Sequence, residues 1–236
     1  MSQSSNVVKL VPDNKKVKDR TSTPFNVYVV GGGYEYIKML YDLGYGGAKG
    51  LGEADIVLFT GGEDVDPSLY GEAALQQTRF NPVRDKREKA IYEEALKANI
   101  PMVGICRGGQ FLNVMNGGKM WQHVDGHCGN HKMAVLGKDE RIITVTSTHH
   151  QMMIPNEETA LVLATANESS RKLAFNLDKT HAKGSDVDTE VVWYENTSCL
   201  CFQPHPEFGS APAECLAYFD ECMDNFIIPS TYNKKD

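Results

Sequence analysis

Three apolar, β-prone runs in the first half of the chain each end abruptly at glycine or cysteine. "NVYVV" (Asn26–Val30) stops at Gly31-Gly32-Gly33, "ADIVLFT" (Ala54–Thr60) stops at Gly61-Gly62, and "IPMVGI" stops at Cys106. Runs that are continuously apolar rather than alternating suit strands buried on both faces of a parallel sheet. Helical patterns lie between them. Tyr34, Ile37, Leu40 and Tyr41 recur at helical spacing until Gly44, and "RDKREKAIYEEALKAN" has a charged outer face with Ile91/Ala95 and Tyr92/Leu96 pairs on the inner one. Right-handed crossovers then build an open, mostly parallel α/β sheet flanked by helices, whose sites form at the carboxyl ends of the strands. Gly31 to Gly33, Gly61-Gly62 and Cys106-Arg107 are expected to converge on one crevice.

The second half is more β-like, and extra antiparallel strands are expected there. "RIITVTST", "ALVLATA", "KLAFNL", "EVVWYE" and "CLCFQ" are short strand candidates, Asp178 to Glu190 reads as loop, and Leu216, Phe219, Met223 and Phe226 mark a last helix from about Ala213. Nothing resembles a linker, so one domain over residues 25–228 is expected, with a mobile segment 1–24 and a tail 229–236. With 41% hydrophobic and 23% charged residues among 236, a sizeable core is expected. The net charge of -7 with scattered lysines and arginines argues against a nucleic-acid surface. There is no signal-like start and no apolar run of the ~20 residues that a membrane helix needs, so a cytoplasmic protein with reduced thiols is expected. Cys199, Cys201, Cys215 and Cys222 then read as small buried apolar residues.

Cys106 reads differently. In Gly104-Ile105-Cys106-Arg107-Gly108-Gly109 the glycines leave room for a sharp strand-to-helix corner, the way a nucleophile is presented in α/β hydrolases. The N-terminus of the following helix, about Arg107 to Asn116, favours thiolate. A thiolate nucleophile calls for an imidazole and an orienting carboxylate. "CFQPHPEFG" offers both as His205 and Glu207, which point to the same side of an extended segment.

G-I-C-R-G followed about a hundred residues later by H-P-E, together with "FTGGEDVDPSLYG" and "STHHQ", resembles the class I glutamine amidotransferase superfamily over most of the chain. The similarity is greatest to the γ-glutamyl hydrolase branch, peptidase C26, which includes γ-glutamyl-γ-aminobutyrate hydrolases. The compact chain and "VVGGGYEYIK" also resemble virus-encoded members. The resemblance implies a flavodoxin-like fold, with Cys106 as nucleophile, His205 as general base and acid, and Glu207 as its orienting partner. It implies an oxyanion hole from the backbone amides of Arg107 and the Gly61-Gly62 turn, Gly62 foremost. It also implies substrate contacts from Gly61, Gln110, His127, His150 and Gln151.

Other motifs weigh less. His123, His127, Cys128 and His131 have zinc-binding types, but their spacings match no standard pattern. Strand-GGG-helix at Val30 to Tyr34 lacks the rest of a phosphate-binding motif, and Asp66 before Pro67 reads as a cap rather than a metal ligand. No metal and no organic cofactor is expected. The expected activity is glutamine hydrolysis through a thioester, as in a free-standing amidotransferase whose ammonia would pass to a synthetase partner. The alternatives are a γ-glutamyl hydrolase acting alone on amines or peptides, in which the Arg84-Asp85 pair resembles the hydrolase branch, and a catalytically silent binding or regulatory protein.

Overall fold

The computed structural model describes residues 24–124, 127–137, 140–166 and 188–232. In chain order they form β1 (Asn26–Val30), α1 (Tyr34–Asp42), β2 (Gly46–Gly47), β3 (Ile56–Phe59), α2 (Pro82–Lys97), β4 (Met102–Ile105) and α3 (Arg107–Met115). There follow β5 (Lys119–Trp121), β6 (His131–Val135), β7 (Arg141–Val145), β8 (Met152–Ile154), β9 (Ala160–Ala166), β10 (Thr189–Tyr194), β11 (Cys199–Phe202), α4 (Ala213–Cys222) and α5 (Ile228–Tyr232). A π-helical turn over Met223–Ile227 joins the last two helices. "KLAFNL" and the stretch from Asp178 to residue 187 lie outside the described residues.

The strands join one sheet in the order β2-β1-β3-β4-β11-β10-β9-β6-β7, with β5 and β8 paired beside β10. β2, β1, β3, β4 and β11 run parallel, and the rest pair antiparallel. This is the open, helix-flanked α/β sheet expected from the sequence, with its antiparallel part in the second half. The period of two along each central strand divides the core. Ile56, Leu58, Val103, Ile105, Leu200 and Phe202 face α1 and α4. Val57, Phe59, Met102, Cys199 and Cys201 face α2 and α3. Cys199, Cys201, Cys215 and Cys222 are buried free thiols, packed as apolar residues.

Some faces differ from expectation. Tyr34, Ile37 and Tyr41 of α1 are exposed, and Met39 and Leu40 form its inner face. The short helix touches the sheet edge along a narrow stripe, so helical spacing finds the helix without finding its buried side. On α2 the buried stripe is Asp85, Glu88, Tyr92 and Ala95, whereas Leu96 is exposed. Two carboxylates occupy core positions because the fully buried guanidinium of Arg107 meets them there, with one Nη on Asp85 and the other on Glu88. Strands β2, β5, β6 and β8 were not expected, being too short or too mixed for periodicity to show. Asp66 is the expected cap, its carboxylate accepting the Ser68 N–H at 2.9 Å. At the other end α5 carries helix through Tyr232 and buries Thr231, beyond the expected boundary at 228.

Glu88 also accepts from Arg84 Nε at 2.7 Å, so it lies between two guanidinium groups. Removing one member of a buried ionic set strands the others. Glu88→Ala is expected to lower unfolding stability by about 3–5 kcal/mol in urea titrations; a loss comparable to that of a surface pair would contradict this placement.

Candidate active site

Cys106 sits between β4 and α3 with φ 51° and ψ -114°, a backbone conformation that a side-chain-bearing residue adopts only under constraint. Two hydrogen bonds hold it there. Its N–H donates to Phe202 O of β11 at 2.8 Å, and its carbonyl accepts the Gln110 N–H at 3.0 Å, opening α3. The glycines around it are required by contact. A Cβ on Gly108 would stand 2.1 Å from Phe59 O, and one on Gly104 would stand 2.2 Å from the Gly108 carbonyl. Cys106 therefore sits at the N-terminus of α3, beside its first unpaired amides and its positive end.

His205 arrives on the segment leaving β11, the parallel neighbour of β4. Its backbone is clamped by Thr146, whose Oγ1 accepts the His205 N–H at 3.1 Å and donates to the His205 carbonyl at 2.9 Å. Its ring is fixed by Glu207, which accepts from Nδ1 at 2.6 Å, and by Phe208, stacked at 4.3 Å between centroids. A Cβ on Gly61 would lie 3.2 Å from His205 Cε1 and 3.6 Å from Cys106 Cβ, so the ends of β3, β4 and β11 meet at one point. Burial disfavours the imidazolium, but hydrogen bonds and charge from Cys106 and Glu207 outweigh it and raise His205 to about 10. The arrangement favours an imidazolium beside the sulfur.

The Gly61-Gly62 turn is held from both sides. Tyr36 Oη accepts the Gly61 N–H at 3.0 Å, and its hydroxyl is raised above the ordinary phenol range by burial and by the charge of Glu207. Arg84 Nη2 donates to Thr60 O and Gly61 O, both at 3.0 Å, while Nη1 pairs with Glu63 at 2.5 Å. The C=O and N–H of a peptide point in opposite directions. Fixing the Gly61 carbonyl on Arg84 therefore turns the Gly62 N–H away from that guanidinium. A cavity of about 490 Å³ lies against the turn, lined by Gly31, Gly32, Tyr36, Gly61, Arg84 and Glu88 among others, so the ends of β1 and β3 share one crevice.

The remaining sequence-derived positions are spread over two environments. Gln110 is buried, its Nε2 donating to Gln203 Oε1 at 3.1 Å and Gln151 O at 3.3 Å. Gln151 is buried as well and donates to Gln122 O at 3.2 Å. His150 is half exposed, with Nε2 3.1 Å from Asp64 Oδ1 and its ring beside His123. His127 is buried with Nε2 3.0 Å from Asp188 Oδ2. Of the zinc-type residues His123, His127, Cys128 and His131, only His127 and His131 meet, edge to face at 5.1 Å; Cys128 is exposed, and His123 is with His150.

A model of the peptidase C26 family matches residues 48–207, which include Cys106, His205 and Glu207. The chain belongs to the peptidase C26 family. Among curated proteins, a glutamine amidotransferase-like protein of Lactococcus lactis, YvdE, is 33% identical over 163 residues, covering 65% of this chain and 66% of that one. The match thus spans slightly under two thirds of that relative. Among solved structures, PurLQS of Thermotoga maritima covers 90% of this chain and 99% of its own at TM-score 0.59 and 17% identity. A GMP synthase component of Thermoplasma acidophilum covers 90% of this chain and 96% of its own at TM-score 0.56 and 18% identity. These share the fold of this C26 member. Among the described residues no helix is long and apolar enough to cross a membrane.

The sequence did not single out Tyr36, Thr146 or Phe208. Phe208 directly follows Glu207 and could have been flagged; Tyr36 and Thr146 act across distances that no local pattern encodes. Because the folded-state pKa of His205 is raised above the ordinary 6.5, its contribution to stability is fully present below about pH 6.5 and is lost as pH rises toward about 10. Denaturant stability of the native chain minus that of His205→Gln is therefore expected to shrink steadily between these limits; a flat difference would contradict the Cys106–His205 coupling.

Proposed function

We propose that this C26 protein hydrolyses a γ-glutamyl amide, glutamine to glutamate and ammonia, with Cys106, His205 and Glu207 as catalytic residues. The observation that carries this reading is the constrained Cys106 and the His205 imidazole meeting at the Gly61 turn, with Glu207 accepting from the ring at 2.6 Å. The sulfur attacks the side-chain carbonyl, and His205 protonates the departing amine. A water activated by His205 then cleaves the thioester. Each tetrahedral oxyanion is received by the backbone amides of Gly62 and Arg107, a single such donor being worth roughly 3 kcal/mol. In this reading Gly61, Gln110, His127, His150 and Gln151 shape the glutamyl pocket, directly or through the buried amide network. The protein works as a glutamine amidotransferase, handing ammonia to a synthetase partner. The similarity in fold to a GMP synthase component supports that role.

A second reading is favoured by the family match itself, a peptidase family. In it the same thioester forms, and the leaving group is a γ-glutamyl-linked amine or peptide. Ammonia or amine release across glutamine, γ-glutamyl-aminobutyrate and a poly-γ-glutamyl compound separates the two. Cys106→Ala is expected to abolish release from the preferred substrate while the protein stays folded; unaltered release would sink both readings.

Arg84 is a positioning residue in this scheme, since it aims the Gly62 amide without touching substrate. Arg84→Met is expected to lower kcat about 10–100-fold, less than loss of a donor itself, with KM little changed. A change in KM alone would show that Arg84 serves binding instead.

A further inference from the structure

Beyond His205, a second set of side chains meets across the antiparallel half of the sheet. His127 precedes β6, His149 precedes β8, and Glu190 is the second residue of β10. All three are buried, and one ring nitrogen from each histidine and a carboxylate oxygen lie within 4.8 Å of one another.

Hydrogen bonds decide which nitrogens carry protons. The Gln151 carbonyl can only accept, so the contact of 2.8 Å places the His149 proton on Nδ1. Asp188 Oδ2, 3.0 Å from His127 Nε2, likewise holds the His127 proton on Nε2. The nitrogens left to face a ligand are then His149 Nε2 and His127 Nδ1. Both face Glu190 Oε1, at 3.9 Å and 3.5 Å. Neither nitrogen has a hydrogen-bond partner among the described residues, nor has Glu190 Oε2. His131 Nε2 reaches Glu190 Oε1, but the two ring nitrogens and Glu190 Oε2 are met by no donor among the described residues, and buried polar atoms are rarely left so.

A cation between them removes the conflict. Metal–ligand bonds of 2.0–2.1 Å in tetrahedral geometry put neighbouring ligand atoms about 3.4 Å apart, close to the two separations found here. The outer contacts fit as well: a carboxylate on one imidazole and a backbone carbonyl on the other are what orient metal-bound histidines. His131 Nε2, 3.1 Å from Glu190 Oε1, donates to the carboxylate and orients it.

We propose that His127 Nδ1, His149 Nε2 and the Glu190 carboxylate form a binding site for a divalent ion of the zinc class, with a structural role. Two nitrogens and one oxygen suit zinc better than calcium or magnesium, which take oxygen sets. The ion ties the segments before β6 and β8 to β10. Those segments also hold each other and the site, since Ser147 Oγ donates to His127 O at 2.5 Å and Thr146 clamps the His205 backbone. The hydrolytic mechanism does not use the ion.

The test uses the full chain carrying Cys106→Ala, which removes the thiol as a competing zinc ligand. The protein is stripped with chelator and dialysed against micromolar zinc, and bound metal is counted; cobalt(II) replaces zinc for visible absorption. About one equivalent of zinc is expected, with a cobalt ligand-field band, no sulfur-to-cobalt charge-transfer band, and a Tm raised by zinc. Adding His149→Gln or Glu190→Gln should abolish uptake, and Asp188→Asn should weaken it about 10–100-fold, whereas His123→Ala should leave it intact. Failure of the folded Cys106→Ala protein to take up zinc would overturn the proposal. So would uptake that survives His149→Gln but disappears with His123→Ala, which would place the metal on the half-exposed His123–His150 pair. Should Glu190→Gln not fold, the His149→Gln result and the cobalt spectrum decide.

Discussion

The burial of Arg107 is the constraint on which the rest of the site depends. The residue after Cys106 cannot send its side chain toward the thiol, because its guanidinium is committed to Asp85 and Glu88 on α2. Burial is severe enough to lower even this guanidinium to about 10, with the neighbouring charge of Arg84 adding to the effect. That commitment locks the first turn of α3 against α2 and leaves the unfavourable φ of Cys106 as the way to enter the helix. Backbone strain of this kind costs about 1–3 kcal/mol. The surrounding contacts over-determine it: β11 takes the Cys106 amide, α3 takes its carbonyl, and glycines at 104 and 108 admit backbone where any side chain would collide.

The same ionic set reaches the neighbouring strand end. Glu88 binds Arg107 on one side and Arg84 on the other, and Arg84 grips the carbonyls of Thr60 and Gly61. One buried carboxylate therefore couples the corner at the end of β4 to the glycine turn at the end of β3. The parallel half of the sheet supplies the thiol and the turn in this way. The antiparallel half supplies restraint on the imidazole, because Thr146, which clamps His205, follows β7 directly.

Much of this was legible in the sequence. Continuously apolar runs identified β1, β3 and β4 because central parallel strands bury both faces, and the glycine or cysteine that ended each run marked the crevice. His205 and Glu207 were legible because two residues in an extended segment share a side. The inner face of α2 was not, since Asp85 and Glu88 look like solvated charges until Arg107 is brought beneath them. Nor was the grouping of His127 and His149 with Glu190, whose members are separated by tens of residues. Proximity along the chain suggests a zinc set of His123, His127, Cys128 and His131, but the fold keeps only His127 and His131 together, with His123 beside His150 and Cys128 exposed. Tyr36 was hidden by its neighbours: in a helix whose aromatic residues at 34 and 41 are exposed, nothing local marks the one that reaches Gly61.

The two proposed activities share every step up to the thioester, so the residues that perform those steps cannot distinguish them. What differs is the group that leaves and where it goes. Tyr36 and Arg84 hold the Gly61-Gly62 turn from opposite sides, so the oxyanion hole proposed there would be indifferent to the leaving amine. Selectivity must then reside in side chains able to adjust. The half-exposed His150, paired with Asp64 and beside His123, is one such group, unlike the buried Gln110 and Gln151. Its partner carboxylate raises His150 above the ordinary imidazole value despite partial desolvation. Asp64 also offsets the charge it favours on the ring, so under the proposed activities this rim would select a leaving group through hydrogen bonding to the His150–Asp64 pair rather than through net charge.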